Sequence, residues 1–158
     1  MKLNFSKITR AEAREICTWE YQPPYEIYNL NNSPTPEEVE AMLNPLYDYH
    51  AIRDEGGSLV AFCSFGEDAR VAGGCYAEEV LDIGIGIRPD LTGQGLGKDF
   101  TQAVLAFAEQ RFSPKVMRVT IAAFNQRAQQ VCINAGFIQT DSFVNPAGRP
   151  FIIFTKSS

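Results

Sequence analysis

A chain of 158 residues with 45% hydrophobic side chains and a net charge of −5 has the length and composition of one compact domain over residues 1–158, able to withdraw roughly 70% of its unfolded surface from water. No run of 18 apolar residues occurs, and the first 20 residues carry charges throughout (Lys2, Lys7, Arg10, Glu12, Arg14, Glu15), so neither a membrane span nor a secretory leader is expected and the cytoplasm is the expected compartment. Cys17, Cys63, Cys75 and Cys132 are widely spaced and His50 is the only histidine, which argues against a zinc site or a disulfide framework and for reduced thiols with no metal.

In chain order, residues 3–8 read as a strand, and Thr9 with Glu12 forms a capping box for a helix over 10–20. Residues 19–34 hold Trp19, Tyr21, Tyr25, Tyr28 and three prolines, too aromatic for a disordered linker, so an ordered irregular segment is expected. Thr35-Pro36-Glu37-Glu38 starts a second helix: Thr35 caps, Pro36 suits the first turn and Glu38 reaches back. Strands follow at 47–54 and 58–65, joined by the turn Glu55-Gly56-Gly57, and residues 66–78 form a glycine-rich loop. After it come a strand at 80–88, a loop, a helix at 96–112, a strand at 116–124, a helix at 126–135 and strands at 137–144 and 150–156. Strand, long helix and strand in succession imply a right-handed parallel crossover, with 80–88 beside 116–124, while the surrounding hairpins make the rest of the sheet antiparallel.

The loop within that crossover is the most informative stretch. Residues 89–98, Pro-Asp-Leu-Thr-Gly-Gln-Gly-Leu-Gly-Lys, set Gly93, Gly95 and Gly97 at alternate positions just before a helix. The first amides of a helix lack intrahelical partners and the macrodipole is positive there, so such a junction suits an anion; a tight turn requiring positive φ is an equal explanation. Spacing excludes two phosphate motifs. The P-loop needs Gly-Lys followed by Ser or Thr, but Asp99 follows Lys98, and the dinucleotide fingerprint has a different glycine spacing near the first strand. Residues 1–87 hold 6 basic and 15 acidic side chains, whereas 88–127 hold 6 basic and 3 acidic, so the loop lies in the positive part of an acidic chain. That balance does not suit nucleic acid.

The run 83–98 resembles the acyl-CoA-binding motif of the GNAT superfamily of N-acetyltransferases, in which Gln or Arg, two residues, Gly, one residue and Gly or Ala precede a helix. Here that register is Thr92-Gly93-Gln94-Gly95-Leu96-Gly97: Gly95 and Gly97 match, and Thr92 stands where the family has Gln or Arg. A second motif of the family, Asn-x-x-Ala and then Gly-Phe, is matched by Asn125, Ala128, Gly136 and Phe137. The resemblance implies a mixed, mostly antiparallel sheet of about seven strands with a central parallel βαβ crossover flanked by helices, an α/β (α+β) fold of GNAT type. It also implies acetyl-CoA as co-substrate. The pyrophosphate would lie on the amides of Gln94, Gly95, Leu96, Gly97 and Lys98 with Gly93 in the turn, and the pantetheine arm along Ile85, Gly86, Ile87 and Arg88. Asn125 and Ala128 would contact the cofactor, Asn125 serving equally well as a helix N-cap. Gly84 and Gly86 suit a strand that something approaches closely.

The implied chemistry is acetyl transfer from the thioester to a primary amine by direct attack. A backbone N–H near residues 85–87 would polarise the carbonyl. Asp82, on the same alternating face as Gly84 and Gly86, is the candidate base, with Glu78 and Glu79 behind it; a salt-bridged carboxylate is the competing reading. Many family members carry a tyrosine acid where this chain has Cys132, which is either the proton donor or an inert buried thiol, with Tyr25, Tyr28, Tyr76 or water in its place. Tyr21, Tyr25 and Tyr28 are expected to wall the acceptor site for a small-molecule or peptide amine, Glu20 and Glu26 suiting a cation. No nucleic acid or membrane partner is expected, and the chain would be a monomer or homodimer. Two other classes compete: a module that binds acetyl-CoA without turnover, and an unrelated α/β nucleotide-binding or scaffolding protein.

Overall fold

The computed structural model describes residues 2–29, 35–76 and 79–157. Its elements are β1 (Asn4–Lys7), α1 (Arg10–Cys17), α2 (Pro36–Leu43), β2 (His50–Arg53), β3 (Leu59–Phe65), β4 (Leu81–Ile87), α3 (Gly97–Phe112), β5 (Val116–Ala122), α4 (Gln126–Asn134), β6 (Ile138–Val144) and β7 (Pro150–Ser157). Seven strands form one sheet in the order β1-β2-β3-β4-β5-β7-β6, in which only β4 and β5 run parallel. The mixed sheet and its central crossover are as the sequence predicts. Pro34 and the last residues of the aromatic segment, with Glu78, lie outside the described residues.

Local signals fix the element ends. Both capping boxes form, Thr9 with Glu12 and Thr35 with Glu38. Helix α1 stops earlier than expected, at Cys17, where the Thr18 hydroxyl turns back to donate to the Glu15 carbonyl at 2.6 Å. Strand β2 starts later than expected because Asp48 adopts a left-handed φ of 48°, which no strand accommodates. One face of the sheet packs on α3 through Phe100, Val104, Ala108, Ile83, Met117 and Phe154. The other packs on α1 and α2 through Ala13, Ile16, Val39, Met42, Ala51 and Leu59, joined by Trp19 from the irregular segment.

The functional geometry begins where β4 and β5 part. Their ladder has two rungs, Leu81 with Met117 and Asp82 with Arg118. Beyond it β4 stays paired with β3 as far as Ile87 and β5 stays paired with β7 as far as Ala122, so the two strands diverge while each remains held by its outer neighbour. Gly66 donates to the Asp82 carbonyl and the Arg88 amide donates to Val60, so even-numbered residues of β4 turn their amides toward β3. By strand alternation the amides of Ile85 and Ile87 turn the other way, into the opening, beyond the last rung with β5.

At the root of the opening a buried ion pair joins the strands. Arg118 donates through Nε to Asp82 Oδ1 at 2.6 Å and through Nη2 to Oδ2 at 2.8 Å, and Arg70 Nε donates to the same Oδ2 at 2.8 Å. The side chains of Asp82 and Arg118 are 2% and 5% exposed. Removing one partner strands a charge in the interior. Asp82→Ala is expected to cost about 3–5 kcal/mol in chemical denaturation, whereas Asp82→Leu with Arg118→Met, which removes the two buried charges and leaves only the partly exposed Arg70 of the cluster, should cost clearly less.

Candidate active site

The loop after β4 is braced by its own side chains. Arg88 donates to Asp90 through Nε (2.6 Å) and Nη2 (3.1 Å) and to the Leu59 carbonyl at 3.0 Å, and this partner holds the Asp90 carboxyl below its ordinary pKa. A 3-10 turn over Pro89–Leu91 follows, the Thr92 hydroxyl donates to the Pro89 carbonyl at 2.7 Å, and Gln94 Nε2 donates to the Asp90 carbonyl at 2.6 Å. Gly93 and Gly95 have φ of 74° and 77°, so the turn explanation of those glycines holds. It leaves the helix start uncovered, since Leu96, the N-cap of α3, makes no side-chain capping bond, and a Cβ on Gly95 would meet nothing within 4 Å. The loop thus presents an open backbone surface at the positive end of a 16-residue helix. That surface fits a phosphorylated cofactor.

Aromatic side chains from the irregular segment reach the open ends of both strands. The Tyr21 hydroxyl donates to the Ile87 carbonyl at 2.7 Å, at the end of β4. Across the opening, Asn125 Oδ1 accepts from the Ala128 amide at 3.1 Å and so caps α4, which obliges its Nδ2 to face the Tyr28 hydroxyl, also at 3.1 Å. The Tyr28 oxygen therefore accepts, and its own proton is left for another partner. Burial raises the Tyr28 pKa, and hydrogen bonds from Asn125 and the Ala122 backbone pull it back. Tyr21 and Tyr28 meet edge to face at 6.3 Å, and Tyr25 and Tyr28 both lie against Phe124, at 5.6 and 6.3 Å. The structure therefore gathers Tyr21, Tyr25, Tyr28, Asn125, Ile87 and the glycine loop around one opening. Glu20 and Glu26 are exposed on the same segment.

Other expected site residues are placed differently. Asp82 does share the face of Gly84 and Gly86, but both its oxygens already accept from guanidinium groups, so the salt-bridged reading describes it and an approaching amine finds no free oxygen. Cys132 faces the core formed by α3, α4 and the sheet, where burial pushes its thiol up to about 12, which favours the inert-thiol reading. The expected close approach at Gly84 and Gly86 is real but comes from the protein itself. A Cβ on Gly86 would fall 2.1 Å from the Phe62 ring, and one on Gly84 2.7 Å from Ser64 Oγ. The Tyr76 hydroxyl accepts from the Val71 amide at 2.9 Å and is shared with Thr120 at 3.0 Å, with the Arg118 guanidinium 4.6 Å from its ring, so it braces the ion pair. Glu79 is exposed beside the undescribed residues.

Sequence reading missed Arg118, Arg70 and Arg127. Arg118 had a signal: a lone charge in the apolar strand Val-Met-Arg-Val-Thr-Ile-Ala is a buried charge in need of a partner. Among the described residues no group of three His, Cys, Asp or Glu side chains is arranged to hold a metal, and no helix is long and apolar enough to cross a membrane.

The model of the acetyltransferase (GNAT) domain matches residues 2–138, and the chain belongs to that family. Solved structures agree on the fold. A spermidine N-acetyltransferase chimera of Vibrio cholerae SpeG and hSSAT superposes with a TM-score of 0.77 at 15% identity, covering 99% of this chain and 96% of that one. A GNAT-family acetyltransferase from Bacillus anthracis gives 0.75 at 14% identity, covering 99% and 95%. The protein yncA of Salmonella typhimurium, solved with its cofactor acetyl-CoA, gives 0.67 at 18% identity, covering 98% and 93%. None of the curated proteins matches the chain in sequence.

The buried thiols carry a pH dependence of known sign. Cys63 and Cys132 have folded pKa values raised from 9.0 to about 12, so their contribution to stability is complete below about pH 9 and is lost as pH rises toward 12. Unfolding measured between pH 8 and 11 should show falling stability with a shallower slope in Cys132→Ala, and at pH 8 iodoacetamide should label the exposed Cys75 while sparing Cys132 in the native protein.

Proposed function

We propose that the chain is an acetyl-CoA-dependent N-acetyltransferase whose acceptor is a primary amine on a small molecule or peptide. The observation that carries this reading is the opening between β4 and β5, which ends at a loop of unpartnered helix-start amides. Bound there, acetyl-CoA supplies an acyl thioester whose carbonyl carbon accepts the amine nitrogen. Gln94 to Lys98 offer backbone donors to the pyrophosphate, each charge-assisted bond contributing roughly 1.5–3 kcal/mol. Ile85, Gly86, Ile87 and Arg88 form the strand edge for the pantetheine arm, and Asn125 with Ala128 closes the opposite side. An inward amide, that of Ile85 or Ile87, donates to the carbonyl oxygen as it gains negative charge.

Proton handling falls to Tyr28. Its oxygen is occupied by the Asn125 amide while its O–H remains available, so it can donate to the departing thiolate. The proton lost by the amine returns to the tyrosinate through water, which leaves an amide and a free thiol. Asp82 and Cys132 serve the scaffold in this reading, and Tyr21 with Tyr25 lines the approach of the amine.

One observation favours a second reading. Neither Asp82 nor Cys132 presents a free polar group to the opening, as a module that binds acetyl-CoA without turnover would also have it. Thiol release from acetyl-CoA across a panel of amines separates the two. Release above hydrolysis is expected with at least one amine; cofactor binding with no release from any of them supports the binding module. In the active pairing, Tyr28→Phe should lower kcat about 100-fold with little change in KM for acetyl-CoA, while Cys132→Ala keeps most of the rate. Full activity in Tyr28→Phe overturns its assignment. Gly95→Glu, which brings a carboxylate to the loop, should abolish cofactor binding while the fold is retained.

A further inference from the structure

We propose that Arg127 is a phosphate-binding residue of this cleft, bringing to the glycine loop from α4 the guanidinium that position 92 lacks. The inference rests on the coenzyme A reading above. It starts from what the loop does with its own side chains. Arg88 is committed to Asp90 and the Leu59 carbonyl, the Thr92 hydroxyl to Pro89 and the Gln94 amide to Asp90, so none of these three turns a free donor toward an anion.

Arg127 is the exception. Its Nη1 lies 2.9 Å from the point that a Cβ on Gly93 would occupy, so the guanidinium rests directly on the first glycine of the loop and any side chain there would displace it. Its other contact is the face of Tyr25, 4.4 Å from the ring centroid. Among the described residues no carboxylate pairs with it. Its place in the fold makes this notable, because Arg127 sits in the first turn of α4, a turn with no acidic residue, where the helix field disfavours a cation. The guanidinium, on an exposed residue, borders a cavity of about 210 Å³ lined by Tyr21, Gln22, Tyr25, Pro89, Thr92 and Arg127. An anion in that space would give it a counter-charge, and a pyrophosphate on the loop amides would lie next to Gly93.

The contact with Tyr25 gives the residue a second consequence. The guanidinium that meets the phosphate also packs on the wall assigned to the acceptor, so Arg127 joins the two halves of the cleft.

Titration calorimetry with coenzyme A, 3′-dephospho-coenzyme A and pantetheine tests the assignment. Arg127→Met should weaken coenzyme A and 3′-dephospho-coenzyme A alike by about tenfold or more, change pantetheine binding less than about twofold, and flatten the salt dependence of Kd, with Arg127→Lys recovering most of the loss. An unchanged thermal midpoint in both variants excludes a folding effect. Equal weakening of all three ligands, no weakening, or a loss confined to coenzyme A overturns the pyrophosphate assignment. If the unaltered protein binds neither coenzyme A nor its dephospho form, the cofactor reading fails and takes this inference with it; normal binding that Arg127→Met leaves intact sinks the inference alone.

Discussion

The ion pair between Asp82 and Arg118 occupies the last rung shared by β4 and β5, and it decides where the sheet stops being continuous. Two parallel strands with apolar residues on their α3 face would gain by pairing along their whole length. Here the carboxylate and the guanidinium tie the strands at one point, Arg70 doubles the tie, and Tyr76 covers it from the ring side. Burying such a group contributes little net stability compared with apolar packing. What it supplies is register, since the charges are satisfied in one alignment of the strands only. The opening, the inward amides of Ile85 and Ile87 and the position of the loop all follow from that alignment.

The sheet accommodates the opening through its outer neighbours. Strand β4 leans on β3, where Gly86 lets the Phe62 ring come within what would otherwise be steric overlap, and Phe62 in turn contacts Tyr49 at 5.9 Å and Trp19 at 6.0 Å. Strand β5 is held by seven rungs to β7. Each side of the cleft therefore has its own packing, and the polar groups at its lip are met by tyrosines carried on a loop segment that holds one short 3-10 turn, Glu26–Tyr28. Binding groups on a loop over a rigid frame are the usual division of labour.

Much of this was legible from residues alone. The capping boxes at Thr9 and Thr35, the Glu55-Gly56-Gly57 turn and the strand, helix, strand order gave the architecture, because those signals act locally. The Asn125 cap and the turn at Gly93 and Gly95 were legible for the same reason: a cap and a positive φ are properties of a few consecutive residues. The readings left open concern partners far apart in sequence. Asp82 looks like a base until Arg118, 36 residues on, is set beside it, and Cys132 looks like an acid until the core around it raises its pKa. Gly86 reads as room for a ligand because the ring that fills the space belongs to another strand. Tyr28 and Asn125, 97 residues apart, could not be paired from spacing at all.

The tyrosine at the end of β4 changes what occupancy of the cleft means. The Tyr21 hydroxyl already donates to the Ile87 carbonyl, so an incoming amide that took the same lone pair would replace a hydrogen bond instead of adding one. The count of bonds at the strand end is conserved, so that contact is nearly neutral in free energy and the gain must come from the phosphates and from apolar area. Displacement also frees a phenol at the cleft mouth, next to the space an acceptor would enter. In the proposed reaction, the phenol that holds the end of β4 would then become part of the surface met by the second substrate.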